Sequence, residues 1–157
     1  MHRILIALTF AAALQAVAAA QQKPASPEKT VAMAPVHQFV DGFNKGDTKS
    51  ALAACADQTS IIDEFPPHEW HGSGACAQWA NDFEADEKKN GVSDGRVILG
   101  TPRHVDITGD RAYIVVPSSY SYKKNGKPTK ETGSTFTFVL QKGAVGWRII
   151  AWTWSMG

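Results

Sequence analysis

The sequence predicts an α+β domain, with helices in its N-terminal half and an antiparallel sheet in its C-terminal half. Three observations carry this. Apolar residues recur at helical spacing as far as Gly91 and at extended spacing beyond it. The turns after Gly91 are short and Gly-rich, which makes neighbouring strands antiparallel. A chain of 157 residues, 43% hydrophobic and 20% charged, suits one globular domain and excludes disorder or a coiled coil.

Residues 1–20 stand apart from that domain. Met1-His2-Arg3 is a short basic start, Ile4 to Leu14 is apolar except for Thr9, and Ala18-Ala19-Ala20 is a small-residue cleavage pattern. These are the parts of a secretory signal peptide. The apolar run is too short to span a membrane easily as an uncleaved anchor. The expected location is therefore periplasmic or secreted. Of 16 Lys and Arg, cleavage removes only Arg3, so 15 basic residues then balance 15 acidic ones. Zero net charge argues against attraction to nucleic acid or to an anionic membrane. Lys123, Lys124 and Lys127 surround a turn and form no basic patch.

Gln21 to Lys29 is a polar linker with Pro24 and Pro27, and the domain is expected over 30–157. Ser26-Pro27-Glu28 can open a helix, Ser26 as cap and Pro27 at the first position. Val36, Phe39, Val40 and Phe43 form its apolar stripe. Pro35 either kinks this helix or marks its start, and Gly46 ends it. Asp47 or Thr48 caps a short second helix through Ala51, Leu52 and Cys55. Thr59 to Phe65 is a brief strand that Pro66-Pro67 stops. A third helix follows Gly74, with Cys76, Trp79, Ala80 and Phe83 on its apolar face and Gly91 as its left-handed stop. Four strands rich in β-branched and aromatic residues come next, over Gly95–Ile107, Arg111–Lys123, Thr129–Gln141 and Gly146–Ser155. Gly109-Asp110, Asn125-Gly126 and Gly143 mark their turns, Asn-Gly being a strong hairpin signal.

This order of elements resembles the nuclear transport factor 2-like superfamily, which includes SnoaL-like cyclases, ketosteroid isomerases, scytalone dehydratase and limonene epoxide hydrolase. Phe43-Asn44-Lys45-Gly46-Asp47 is similar to the family's N-x-G-D turn. Trp70-His71-Gly72 matches an aromatic-x-Gly step before the third helix, and Gly146-Trp147-Arg148-Ile149-Ile150 matches the opening of the last strand. The resemblance covers about residues 30–157. It implies a cone-shaped fold, with three N-terminal helices packed on a curved, mainly antiparallel sheet around a conical pocket. Such a pocket is a default ligand site, but the fold hosts enzymes and binding proteins alike.

Asp63 is the leading candidate catalytic residue. It lies in Ile61-Ile62-Asp63-Glu64-Phe65, and an acid beside apolar surface can have its pKa raised to serve as a general base. The resemblance implies the same: Asp63 falls where ketosteroid isomerases keep their proton-shuttling carboxylate. The competing reading is a solvated acid at Asp63 or Glu64. The isomerase's oxyanion-donating Tyr falls near Phe39, which has no hydroxyl, and Thr137 is one position for its second donor. Steroid isomerisation is thus disfavoured.

Trp152 and Trp154 share a strand face with Ile150, while Trp147, Ile149, Ala151 and Thr153 form the other. Inward-facing, the Trp pair walls the cone for a flat ligand; outward-facing, it marks an interface. Parity alone leaves both open, as it does for the alternation of Phe136, Phe138 and Leu140 with Thr135, Thr137 and Val139. Tyr113 has opposite parity to Tyr120 and Tyr122, and a Tyr hydroxyl inside the cone would be a useful donor. Trp79 is core first and pocket wall second. His68-Glu69-x-His71 lacks the i, i+4 spacing of helical zinc sites and a clear third ligand, so no metal is expected. Nor is any cofactor: phosphate loops, dinucleotide fingerprints and nucleophile elbows are absent. Cys55 and Cys76 are an even pair in an exported chain and hence a disulfide candidate; two buried thiols are the alternative.

The expected function is binding of a small apolar or aromatic molecule in the cone. Phe39, Trp79, Tyr113, Thr137, Trp152 and Trp154 are the expected lining. Cofactor-free isomerase, cyclase or dehydratase chemistry would proceed at Asp63. A homodimer is expected. The alternative function is a non-enzymatic module that binds a ligand, or whose outer sheet face forms the dimer or docks a partner.

Overall fold

The computed structural model of the protein describes residues 26–157, so the expected leader and most of the linker lie outside the described residues. Helix α1 (Pro27–Lys45) starts on the Ser26 cap, whose hydroxyl accepts from Lys29 N at 3.4 Å, and Pro27 occupies its first turn. It therefore runs through the buried Pro35 rather than starting there. Gly46 closes it in the left-handed region at φ 68°, where glycine carries no Cβ penalty.

The Asn44-Lys45-Gly46-Asp47 turn ties three elements together. Asn44 accepts from Val97 N at 2.7 Å and donates to Val97 O at 2.8 Å, clamping the end of α1 to strand β3 (Val92–Leu99). Asp47 caps α2 (Thr48–Leu52), accepting from Ser50 N at 3.0 Å. A Cβ on Gly42 would stand 2.6 Å from Ala51 N, so glycine is what permits α1 and α2 to pack this closely. Asn44→Ala strands both polar groups of Val97 and should cost about 1–3 kcal/mol, measurable by urea unfolding.

Helix α2 stops three residues earlier than expected. Cys55 opens strand β1 (Cys55–Ile62), because Ala54 O already accepts from Ile149 N at 3.0 Å; pairing with the last strand overrides local helical spacing. The stretch after Pro66-Pro67 returns as β2 (Glu69–Ser73), antiparallel to Gln58–Ile62. Helix α3 (Ala75–Lys89) follows Gly74. The expected strand over Gly95–Ile107 divides into β3 and β4 (His104–Thr108) at Pro102, which has no N–H for a ladder. Both halves pair with β5 (Arg111–Lys124). β6 (Lys127–Gly143) and β7 (Gly146–Ser155) complete the meander.

The sheet order is β2-β1-β7-β6-β5-β3, with β4 beside β5. Only β1 and β7 are parallel neighbours. The sheet is curved and unclosed, and the three helices pack on its concave face. Ile114 and Val116 of β5, Phe138 and Leu140 of β6, Ile149 of β7 and Val36 of α1 are fully buried in one core. Cys55 and Cys76 form a disulfide joining the start of β1 to the first turn of α3. Its loss in a Cys55→Ala/Cys76→Ala variant should cost about 3 kcal/mol, set by the loop it closes. The denatured, unreduced protein should titrate no thiol.

Candidate functional site

A cavity of about 290 Å³ opens between α1, α3 and the concave face of β5, β6 and β7. Its wall is chiefly aromatic. Phe39 and Phe43 come from α1, Trp79 and Phe83 from α3, Trp152 and Trp154 from β7. The rings are in direct contact: Trp79 stacks on Phe83 at 5.3 Å between centroids and meets Trp152 edge-on at 4.8 Å. Phe39 lies 5.8 Å from both indoles.

Two β-bulges decide which side chains reach this cavity. In β7, Val139 pairs with Ala151 but Leu140 pairs with Ile149, so Ile150 is an extra residue. The bulge resets the alternation. Trp147 and Ile149 face inward, and so do Trp152 and Trp154, contrary to the expectation that they share a face with Ile150 and oppose Trp147. In β6, Ser118 pairs with Ser134 but Tyr120 with Glu131, leaving one extra residue next to Gly133, at φ 84°. Without it Glu131 would share the outer face with Thr135 and Thr137; with it, Glu131 lines the cavity.

Asp63 follows β1 directly and is 8% exposed. Its Oδ2 accepts from Trp79 Nε1 at 2.8 Å, and its Oδ1 accepts from Glu64 N at 2.8 Å. Burial lifts its carboxyl above the ordinary range, the two N–H bonds oppose that lift, and nearby Glu131 adds to it. Each oxygen keeps a second lone pair, which a base needs. Glu64, beside it at the cavity mouth, is pushed up to about 7 by burial of its carboxyl and by the charges of Glu131 and Asp63. Tyr120 donates to Glu87 Oε1 at 2.7 Å, and burial raises both groups. Gly95 makes room for that pair, since a Cβ there would collide with the Tyr120 hydroxyl.

A stability prediction follows from Glu64. Between its unfolded pKa of 4.5 and about 7, the folded chain holds a proton that the unfolded chain has lost. The stabilisation is full below that window and disappears as pH rises through it. The melting temperature of the native protein minus that of Glu64→Gln should therefore fall between pH 5 and pH 8. A flat or rising difference would contradict the placement of Glu64.

The other expected lining residues divide. Phe39, Trp79, Trp152 and Trp154 line the cavity with Asp63. Thr137 does not: it pairs with Val115 and Thr153 on the convex face. Tyr113 is 45% exposed there, its ring 5.8 Å from His104. The tyrosines inside are Tyr120 and Tyr122. Phe136 and Phe138 face inward, so they leave no apolar patch outside. His68 Nδ1 lies 3.2 Å from Asp63 O, and His71 pairs with Glu69 at 3.6 Å. Among the described residues no three His, Cys, Asp or Glu side chains converge as metal ligands would. Glu64, Glu87 and Glu131 were not expected in the lining. Gly133 inside an otherwise continuous strand is the bulge signal that could have exposed Glu131.

No protein-family model matches the chain, and no curated protein is significantly similar to it in sequence. Solved structures match it well. A nuclear transport factor 2-like superfamily protein from Salmonella enterica serovar Typhimurium aligns at TM-score 0.68 and 20% identity, over 82% of this chain and 89% of that one. A ketosteroid isomerase-like protein from Erwinia carotovora atroseptica aligns at 0.66 and 20%, over 83% and 97%. A dehydratase candidate of the same fold family from Streptomyces avermitilis aligns at 0.67 and 16%, over 84% and 99%. At such identities the likeness concerns architecture, and the chain has the nuclear transport factor 2-like fold.

Proposed function

We propose that the protein is exported and that its cavity binds a small apolar or aromatic molecule, on which Asp63 acts as the base of a cofactor-free proton transfer. Isomerisation, cyclisation and dehydration are the reaction types in view. The observation that carries this is the Asp63 carboxyl, buried in an aromatic wall and fixed by Trp79 and by Glu64 N. A carboxyl so placed is a stronger base than a solvated one and sits where a ligand's proton would be. Tyr120 and Glu87 line the same cavity, and burial disfavours ionisation of both. The structural relatives described as isomerase-like or as a dehydratase candidate are in keeping with this chemistry.

Export is supported by the leader-like residues 1–20 and by the disulfide. No helix among the described residues is long and apolar enough to cross a membrane. Phe136 and Phe138 face inward, so the outward Phe face that would favour an interaction module is not present.

Trp79, Trp152 and Trp154 in the wall provide the test of binding. A panel of small bicyclic aromatic molecules should include members that quench or shift intrinsic tryptophan fluorescence and saturate. Among bound ketones, deuterium from D2O should enter the α-carbon faster with the native protein than with Asp63→Asn. A panel without a saturable binder would end the cavity reading, and equal exchange in both proteins would end the role of Asp63.

A further inference from the structure

We infer that the molecule bound in the cavity is a cation: an aromatic or apolar molecule bearing an ammonium group, seated against Glu64 and Glu131. This deepens the reading of the cavity as a binding site and rests on it. The charge around the cavity is one-sided. Asp63, Glu64, Asp86, Glu87 and Glu131 line it, against the single cation Lys124. The chain as a whole is nearly neutral, at a formal +1, so the imbalance belongs to this cleft. The Lys and Arg ion pairs among the described residues are Arg111–Asp110 and Lys123–Asp94, and neither includes a cavity acid.

Two buried polar atoms in the lining lack partners. Glu131 Oε2 is shut off from solvent and has no partner at hydrogen-bond distance, although the β6 bulge has turned this side chain inward, toward the Tyr122 hydroxyl. An occupied acceptor is the rule for such an atom, and an empty one is costly. An ammonium group has three donors, enough for Glu131 Oε2 and for the Glu64 carboxylate that lines the same cavity. Trp152, only 3% exposed, presents an indole N–H with no acceptor. That donor calls for a hydroxyl, ether or carbonyl on the same molecule, away from its charge.

The walls fit the rest of such a ligand. Tyr120 and Tyr122 stack 5.0 Å apart, and Phe43 and Phe83 stand beside Tyr120 at 6.3 and 6.5 Å. Ring faces attract organic cations through their quadrupoles. The volume, about 290 Å³, lies at the lower end of ligand pockets, roughly 300–1,000 Å³, and suits a bicyclic ring with a short arm. The cavity acids are too dispersed to chelate a metal ion, but an ammonium group needs only two of them.

The test compares three probes of one shape, 2-naphthylmethylamine, 2-naphthylmethanol and 2-naphthoate, on the mature protein at pH 8. Binding is read by tryptophan fluorescence and calorimetry. The amine is expected to bind at least tenfold more tightly than the alcohol, and the naphthoate more weakly than either. Glu131→Gln, and separately Glu64→Gln, should each remove most of the preference for the amine over the alcohol. Glu28→Gln, at the far start of α1, should leave it unchanged. An alcohol that binds as tightly as the amine, or a preference that survives both Gln substitutions, would overturn the cationic ligand and leave the cavity reading intact. If none of the three binds, both fall.

Discussion

Asp63→Asn is expected to lower turnover by about 10²–10⁴-fold, the range a positioned general base supplies, while the fold persists. The geometry explains the separation. Asp63 uses one oxygen for Trp79 Nε1 and the other for Glu64 N. The Asn amide oxygen can keep one of these bonds. If it keeps the buried Trp79 indole, the N–H left over is that of the exposed Glu64, where water can replace the lost acceptor. Against that loss, the buried charge is gone, so net stability should change by only about 1 kcal/mol. Asp63→Leu differs, because it leaves both donors without an acceptor. Trp79→Phe separates positioning from catalysis. It removes the hydrogen bond that lowers the Asp63 pKa, so the acidic limb of the rate–pH profile should move to higher pH. A profile left unmoved would mean that the Trp79 contact does not tune the base.

How much of this could be read in the sequence depended on the range of the forces involved. Helix starts were legible because they are local: Ser26, Pro27, Gly46 and Asp47 act within one turn of themselves. Asp63 was legible as an acid among Ile61, Ile62 and Phe65, since chemical type and apolar neighbours are both visible there. Cys55 was misplaced on a helix because its conformation is set by β7, more than ninety positions away. The two Trp of β7 illustrate the limit of period-two reasoning: one extra residue at Ile150 inverts every assignment on one side of it. Thr137, expected inside through the family resemblance, and Tyr113, expected there as a hydroxyl donor, stand outside. Glu131 went unnoticed because the bulge beside Gly133 turned an outward position inward. Phe39, Trp79, Trp152 and Trp154 were expected in the wall and are there, whereas the place of Glu131 depended on an irregularity of strand register.

Phe39→Ala is expected to cost about 3–5 kcal/mol, the usual range for a buried Phe, and to lower the melting temperature by roughly 10–20 °C for a domain of this size. Phe39 is 2% exposed and touches Trp79, Phe136 and Trp152, so its removal leaves three large rings facing empty space. Collapse can heal such a gap only where neighbours are free to move. Here Trp79 is held by Asp63, and Trp152 and Phe136 are fixed by adjoining strands of the sheet. The space therefore joins the cavity, which Phe39 already lines. Phe138→Ala provides the comparison, because Phe138 is fully buried but does not line the cavity. Both variants should lose stability, but only Phe39→Ala should bind a ring system one ring larger than the native protein accepts. Equal ligand-size limits in both variants would show that the Phe39 ring does not bound the site. A wider limit in Phe39→Ala alone would identify the floor of the cavity as the same aromatic cluster that holds the cone together.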